Sequence, residues 1–150
     1  MAFVKIEDFK HIYEIVVFGS VFPQFQPFLQ PDQMVYVFGK LSSGSSLDDS
    51  VIKMIGDQIM PLEKVPEELT DALFLRIQKD RFTEEERHRL KTVLRSSPGT
   101  SRVFFEISLN GSGDFRLISN AVRVRLTFNT LTELDKIFGE NGLKVKVRER

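Results

Sequence analysis

The sequence predicts an α+β protein in which a small antiparallel β-barrel precedes a βαββαβ-like antiparallel sheet with two helices on one face. Three observations predict it. Short runs of alternating apolar and polar residues, separated by turn signals, fill residues 1–65. Residues 66–150 instead hold two segments of helical periodicity, each with a threonine and a glutamate three residues apart near its start, set among further strand runs. Between the two rhythms lies Pro61-Leu-Glu-Lys-Val-Pro-Glu-Glu68, where two prolines and a charge cluster interrupt the apolar pattern.

The elements follow in order. Ala2, Val4 and Ile6 alternate with Phe3, Lys5 and Glu7 as a first strand; Tyr13 to Phe18, Met34 to Leu41 and Val51 to Ile59 are three more. Pro23 and Pro27 limit any helix between residues 21 and 30 to about one turn, because an interior proline costs about 3 kcal/mol. Ser42-Ser43-Gly44-Ser45-Ser46, followed by Asp48 and Asp49, reads as a solvated loop. In the second half Leu73, Leu75 and Ile77 form a strand. Thr83 and Glu86 make a capping box over a helix bearing Leu90, Val93 and Leu94, which Pro98-Gly99 stops. Arg102 to Leu109 is a strand that turns at Asn110-Gly111 into Phe115 to Ile118, and Val122 to Leu126 is a separate extended run. Thr130 and Glu133 predict a second capping box, over Leu131, Leu134, Ile137 and Phe138. Gly139 supplies the C′ residue and Leu143 to Arg148 the last strand.

Composition narrows the chemistry. The chain has 150 residues, 41% apolar and 28% charged, and no cysteine, so disulfides, thiolate zinc sites and cysteine nucleophiles are excluded. Its two histidines, His11 and His88, fall in different halves and in no metal or triad spacing. The expectation is a non-enzyme with no cofactor, no metal and no small-molecule substrate. No apolar run approaches the roughly 18 residues of a membrane span, and no cationic leader precedes one, which predicts a cytoplasmic protein without membrane contact. Charge is uneven: residues 1–70 hold 5 Lys+Arg against 10 Asp+Glu, and residues 71–150 hold 16 against 11.

Binding is the function this pattern favours. If Ala2, Val4 and Ile6 face the core, Phe3 and Lys5 share the outer face, where a ring can stack a base and an ammonium can meet a phosphate. Glu14 and Phe18 then lie on the adjacent outer strand face, and Lys40 and Lys53 line the same groove. In the second half, helix-side burial of Leu73, Leu75, Ile77, Val103, Phe105, Ile107, Leu109, Val122, Val124, Leu126, Leu143, Val145 and Val147 follows from the alternation. The opposite face carries Phe74, Arg76, Arg102, Phe104, Arg123, Arg125, Lys144, Lys146 and Arg148, a basic surface with two rings that suits nucleic acid or an acidic protein partner.

Several of these segments also carry a resemblance. Met1-Ala-Phe-Val-Lys-Ile-Glu-Asp8, Glu14-Ile-Val-Val-Phe18, Val37-Phe-Gly-Lys-Leu41 and Ile59-Met-Pro-Leu-Glu63 resemble the oligonucleotide-binding (OB) fold near the C-terminus of the bacterial DNA polymerase III alpha subunit. From Leu73-Phe-Leu-Arg-Ile77 to Lys144-Val-Lys-Val-Arg148 the chain resembles that subunit's C-terminal domain. The pattern departs from the family at His11, where a glycine is usual, and at Arg125-Leu-Thr-Phe128, where a serine-proline stretch is usual. The resemblance implies an OB-fold over residues 1–65, incomplete because the first of its five strands would precede Met1, and a C-terminal α+β domain over residues 66–150. It implies a piece of a longer polypeptide or a truncated product, without the family's catalytic carboxylates and metal-binding histidines. Its implied partners are single-stranded DNA for the barrel and the clamp-loader tau subunit, or another replisome protein, for the tail. Two other readings stay open: a tRNA- or RNA-binding OB module in which Phe3 stacks an RNA base, and a protein-interaction scaffold without nucleic-acid binding, which the acidic first half favours.

Overall fold

The computed structural model describes residues 1–44, 50–109 and 113–148. The fold is mixed α+β, with two four-stranded sheets. The chain divides into two compact units, Met1–Leu62 and Glu63–Arg150.

In the first unit, strands β1 (Ala2–Glu7), β2 (Ile12–Val17), β3 (Val35–Leu41) and β4 (Val51–Pro61) pair in the order β1-β2-β4-β3. β1 with β2, and β3 with β4, are antiparallel, but β2 runs parallel to β4, so the sheet is mixed where the pattern predicts an antiparallel one. The long excursion from β2 to β4, through a helical turn and β3, supplies the crossover that parallel pairing needs. That turn is α1 (Phe22–Phe25) followed by a 3₁₀ turn over Gln26–Phe28, each with a proline in its first two positions, where the missing N–H costs nothing. It buries Phe25 in a core with Ile15, Val17 and Ile59, onto which Val4, Ile6 and Val37 pack. Across β3 and β4 the register slips between Phe38 and Gly39, where a Cβ on Gly39 would lie 2.1 Å from the Ile55 carbonyl oxygen. Asp8 ties the β1–β2 turn: its Oδ1 accepts the N–H groups of Lys10 and His11, both at 2.7 Å, and its Oδ2 accepts the Tyr13 hydroxyl at 2.9 Å. Ser45, Ser46, Asp48 and Asp49 of the predicted loop lie outside the described residues.

In the second unit, α2 (Val65–Leu69) leads into β5 (Thr70–Gln78), α3 (Glu84–Ser96), β6 (Pro98–Leu109), β7 (Gly113–Val124), α4 (Phe128–Phe138) and β8 (Leu143–Val147). The sheet order is β7-β6-β5-β8. β5 and β6 are parallel, joined through α3, and the other two pairs are antiparallel. The capping box of α3 is present: Glu86 accepts the Thr83 N–H at 2.7 Å and donates its own N–H to Thr83 Oγ1 at 3.2 Å. Leu73, Leu75, Val103, Val124 and Leu126 of the sheet side meet Leu90, Leu94 and Leu134 of the helices in the core.

Three expectations are corrected. The runs Phe115 to Ile118 and Val122 to Leu126 are one strand, β7, whose register shifts between Phe104↔Ile118 and Arg102↔Arg123, so the residues between form an irregularity that joins them. The cap of α4 is Thr127, not Thr130: Thr127 is extended and its Oγ1 accepts the Thr130 N–H at 3.1 Å, while Glu133 pairs with Lys136. Val145 and Val147 face largely into solvent, since β8 is a sheet edge. The turn residues Asn110 and Gly111 lie outside the described residues, although β6 and β7 pair up to Leu109↔Gly113. No helix among the described residues is long and apolar enough to cross a membrane.

Candidate functional site

On the first unit, the alternation of β1 turns Phe3, Lys5 and Glu7 away from the core. Register then builds two rows on that outer face. Lys5, Glu14 and Lys53 stand opposite one another across β1, β2 and β4, and Phe3, Val16, Ile55 and Lys40 form the next row across all four strands. Phe3 is 62% exposed, and Phe18, directly after β2, is 50% exposed. Neither has a ring partner among the described residues. Phe38 of β3 is also exposed and lies two residues before Lys40 on the same strand. The register thus brings Phe3, Lys5, Glu14, Lys40 and Lys53 onto one face, with Phe18 at its margin. Exposed rings beside ammonium groups are what sequence-tolerant single-strand binding uses. Phe38, Val16 and Ile55 are residues of this face that sequence reading misses; the alternation with inward Val35 and Val37 carries the signal for Phe38.

The outer face of the second sheet is organised differently. Phe74 and Phe104 are paired in register and stack at 4.8 Å with 10° between their planes. Arg102 lies over the Phe104 ring at 5.7 Å and Arg116 over Phe74 at 5.4 Å. Glu106 holds Arg116 at 2.8 Å and reaches Arg76 at 3.8 Å, and Asp71 holds Arg102. These rings are turned to each other and covered by guanidinium groups, so the surface presents cations rather than open ring faces. Lys144 stands beside Phe74 and Lys146 beside Ala72 on β8, and Arg123 opposite Arg102 donates to the Thr100 carbonyl. Arg125 departs from this group. It lies past the end of β7 and its Nε pairs with Glu67 of α2 at 3.1 Å. Arg148, past β8, reaches Thr100 Oγ1 at 3.4 Å. Arg116 and Asp71 escape sequence reading, because a hairpin register and a strand-start bulge bring them in, whereas the alternation of Arg102 and Phe104 carries the signal for Glu106.

The Asp8 carboxyl is held below its ordinary range chiefly by the Lys10 N–H, then by the His11 N–H and the Tyr13 hydroxyl, and the bond to Tyr13 pushes that phenol up. Both belong to a turn rather than to either face. His88 is exposed on α3, its carbonyl accepting the Thr92 hydroxyl. Among the described residues no three His, Asp or Glu side chains are placed to hold a metal.

No family model matches the chain. Along 152 aligned positions it is 25% identical to the DNA polymerase III subunit alpha of Halalkalibacterium halodurans. That similarity takes in 99% of this chain and spans 13% of the length of the relative, so the chain is similar, throughout, to a small part of that polymerase subunit.

Proposed function

We propose that this chain is a non-catalytic binding module of DNA replication, in which Met1–Leu62 guides single-stranded DNA template and Glu63–Arg150 docks a replisome protein such as the clamp-loader tau subunit. One observation carries the reading: the outer face of the first sheet sets exposed Phe3, Phe18 and Phe38 among Lys5, Lys40 and Lys53. Stacking on a ring of this kind is worth about 1 to 3 kcal/mol per base. Similarity to a polymerase subunit over the whole chain supports placing that surface in replication. The guanidinium-covered Phe74–Phe104 pair supports the protein-docking half, since it offers fixed cations to an acidic partner and no open ring to a base.

The test is fluorescence anisotropy with labelled oligo-dT and oligo-rU across a salt series. It is run on the chain, on Phe3→Ala and on Arg123→Ala/Arg125→Ala. The expected result is binding of oligo-dT that falls with salt, weakens about 5-fold or more in Phe3→Ala and changes little in the arginine pair. Preference for oligo-rU moves the function to an RNA module. Loss through the arginines alone moves the site to the second unit, and no binding at low salt leaves a protein-interaction scaffold.

A further inference from the structure

The helix-covered face of the second sheet is not fully covered. β6 and β7 run on beyond the helices, and between that extension and α3 lies a groove of about 970 Å³. Its floor is Ile77, Phe105, Ile107, Phe115 and Leu117. Phe115 and Leu117 are 50% and 53% exposed, although Phe115 pairs with Ile107, and Leu117 with Phe105, on the side of the sheet that faces the core. Along one wall, Arg87, Lys91 and Arg95 recur every fourth residue of α3, one above the other on a single stripe. Lys79 adds a fourth cation against a single lining carboxylate, Asp80. Arg87 has Glu84 at 3.3 Å, whereas Lys91 and Arg95 make no ion pair among the described residues.

We propose that this groove docks an acidic amphipathic helix of a partner protein, its apolar stripe on the Phe105–Leu117 floor and its carboxylates against Arg87, Lys91 and Arg95. The stripe spans roughly 12 Å, eight residues at 1.5 Å, which matches apolar anchors at i, i+4 and i+7 on an incoming helix. Such a helix would lie beside α3 as a third helix of the layer, which is how an exposed apolar sheet face is ordinarily covered. Nucleic acid suits the groove less. Apart from the charged rim, Ser119 is the one polar side chain in the lining among the described residues, so the floor offers almost nothing to base edges. The groove is also on the opposite side of the sheet from Phe74 and Phe104, and the inference stands apart from the function proposed above.

The experiment uses a fluorescein-labelled 18-residue helical peptide with leucines at i, i+4, i+7 and i+11 and glutamates flanking them. A twin peptide with lysine for each glutamate, and unlabelled oligo-dT as competitor, complete the set. The acidic peptide is expected to bind saturably, at least 10-fold more tightly than its lysine twin, and to protect residues 105–109 and 114–117 from amide exchange. Lys91→Glu/Arg95→Glu is expected to reverse the peptide preference. Leu117→Glu, at a half-exposed position, is expected to weaken binding at least 10-fold with an unchanged melting curve; should its melt shift, Leu117→Ser serves in its place. Equal binding of the two peptides, no reversal in the charge-swapped variant, protection elsewhere, or displacement by oligo-dT each overturns the proposal, the last in favour of a nucleic-acid groove. None of these readouts depends on Phe3, so failure here and failure of the template-guiding reading are told apart.

Discussion

Replacing Glu14 by glutamine should tighten single-strand binding while weakening the fold. Glu14 stands between Lys5 and Lys53 in the β1-β2-β4 register. Neighbouring strands are about 4.8 Å apart, which sets the two lysine positions about 10 Å apart with a carboxylate in the middle. A phosphate bridging the ammonium groups would lie roughly 7 Å from that carboxylate. Coulomb's law then gives a repulsion of about 0.6 kcal/mol at the dielectric constant of water and about 2.4 kcal/mol at an effective value near 20. Removing it raises affinity about 3-fold in the first case and about 60-fold in the second. The face is exposed, so the lower figure governs, and a screening length of about 8 Å at 0.15 M salt shrinks it further. Stability moves the other way. Two cross-strand opposite-charge pairs, each worth about 0.2 to 1 kcal/mol, are lost together. The assay is oligo-dT anisotropy at about 0.03 M salt and again at 0.15 M, paired with urea unfolding of the same protein. Tighter binding at low salt, converging at high salt, with a lower urea midpoint, is the expected pair of results. Unchanged or weaker low-salt binding by a folded Glu14→Gln protein would refute the placement of phosphate on the Lys5–Lys53 row.

Other predictions test the scaffold. Leu134→Ala, at a fully buried position between α4 and the sheet, should lower unfolding free energy by about 2 to 5 kcal/mol in a urea titration. The Glu86 carboxyl is held below its ordinary range by the Thr83 N–H and then the Thr83 hydroxyl, so its contribution is complete above the unfolded pKa and is lost as pH falls through the lower folded value. Amide exchange in α3 should therefore quicken on acidification, and Thr83→Ala should cost about 1 kcal/mol at neutral pH and flatten that dependence. Gly39→Ala drives a Cβ to 2.1 Å from the Ile55 carbonyl and should part β3 from β4, seen as lost exchange protection there. Gly139→Ala meets no atom within 4 Å and should show only the backbone strain of φ 62° with ψ −170°, a combination essentially reserved to glycine, about 1 to 3 kcal/mol in thermal melts.

Local chemistry makes most elements legible in the sequence. Strict alternation in β1, the Thr83–Glu86 box and the prolines of α1 each fix their element by interactions spanning a few residues, and these stand where the pattern puts them. Long-range register is not legible. Alternation gives a strand its faces but not its neighbour, so the parallel β2–β4 and β5–β6 pairs, and the continuity of β7 through residues 119–122, need tertiary structure. Thr130 shows a different failure. Its spacing to Glu133 satisfies the capping pattern, yet Thr127 caps instead and leaves Thr130 buried in the first turn of α4. For the candidate surfaces, alternation gives the outward positions of β1, whereas the end of β7 at Val124 and the pairing of Arg125 with Glu67 of α2, distant in sequence, need tertiary structure. Val145 and Val147 satisfy the inward alternation but sit toward the end of an edge strand, of which only Leu143 packs on the core.

Division into units also changes what the charge means. Met1–Leu62 holds 4 Lys+Arg against 7 Asp+Glu, and Glu63–Arg150 holds 17 against 14, so the contrast is milder than counting by halves of the sequence suggests. Yet Arg76, Arg102, Arg116, Arg123, Lys144 and Lys146 stand with Asp71, Glu106 and Asp114 on one side of the second sheet, so that side alone matches the surplus of the whole unit. Asp71 and Glu106 are half-buried while Arg102 and Arg116 are exposed, so these ion pairs contribute modestly to stability. Their effect is positional: each holds a guanidinium that also lies over a ring, Arg102 on Phe104 and Arg116 on Phe74. A guanidinium held between a carboxylate and a ring has less rotamer entropy left to lose in any further contact. Lys144 and Lys146 lack such anchors among the described residues and contribute long-range attraction instead. The second sheet thus sets guanidinium groups held by carboxylates at the centre of one face and lysines at its β8 edge, whereas the first unit, acidic in sum, keeps exposed Phe3 and its lysines together on one face.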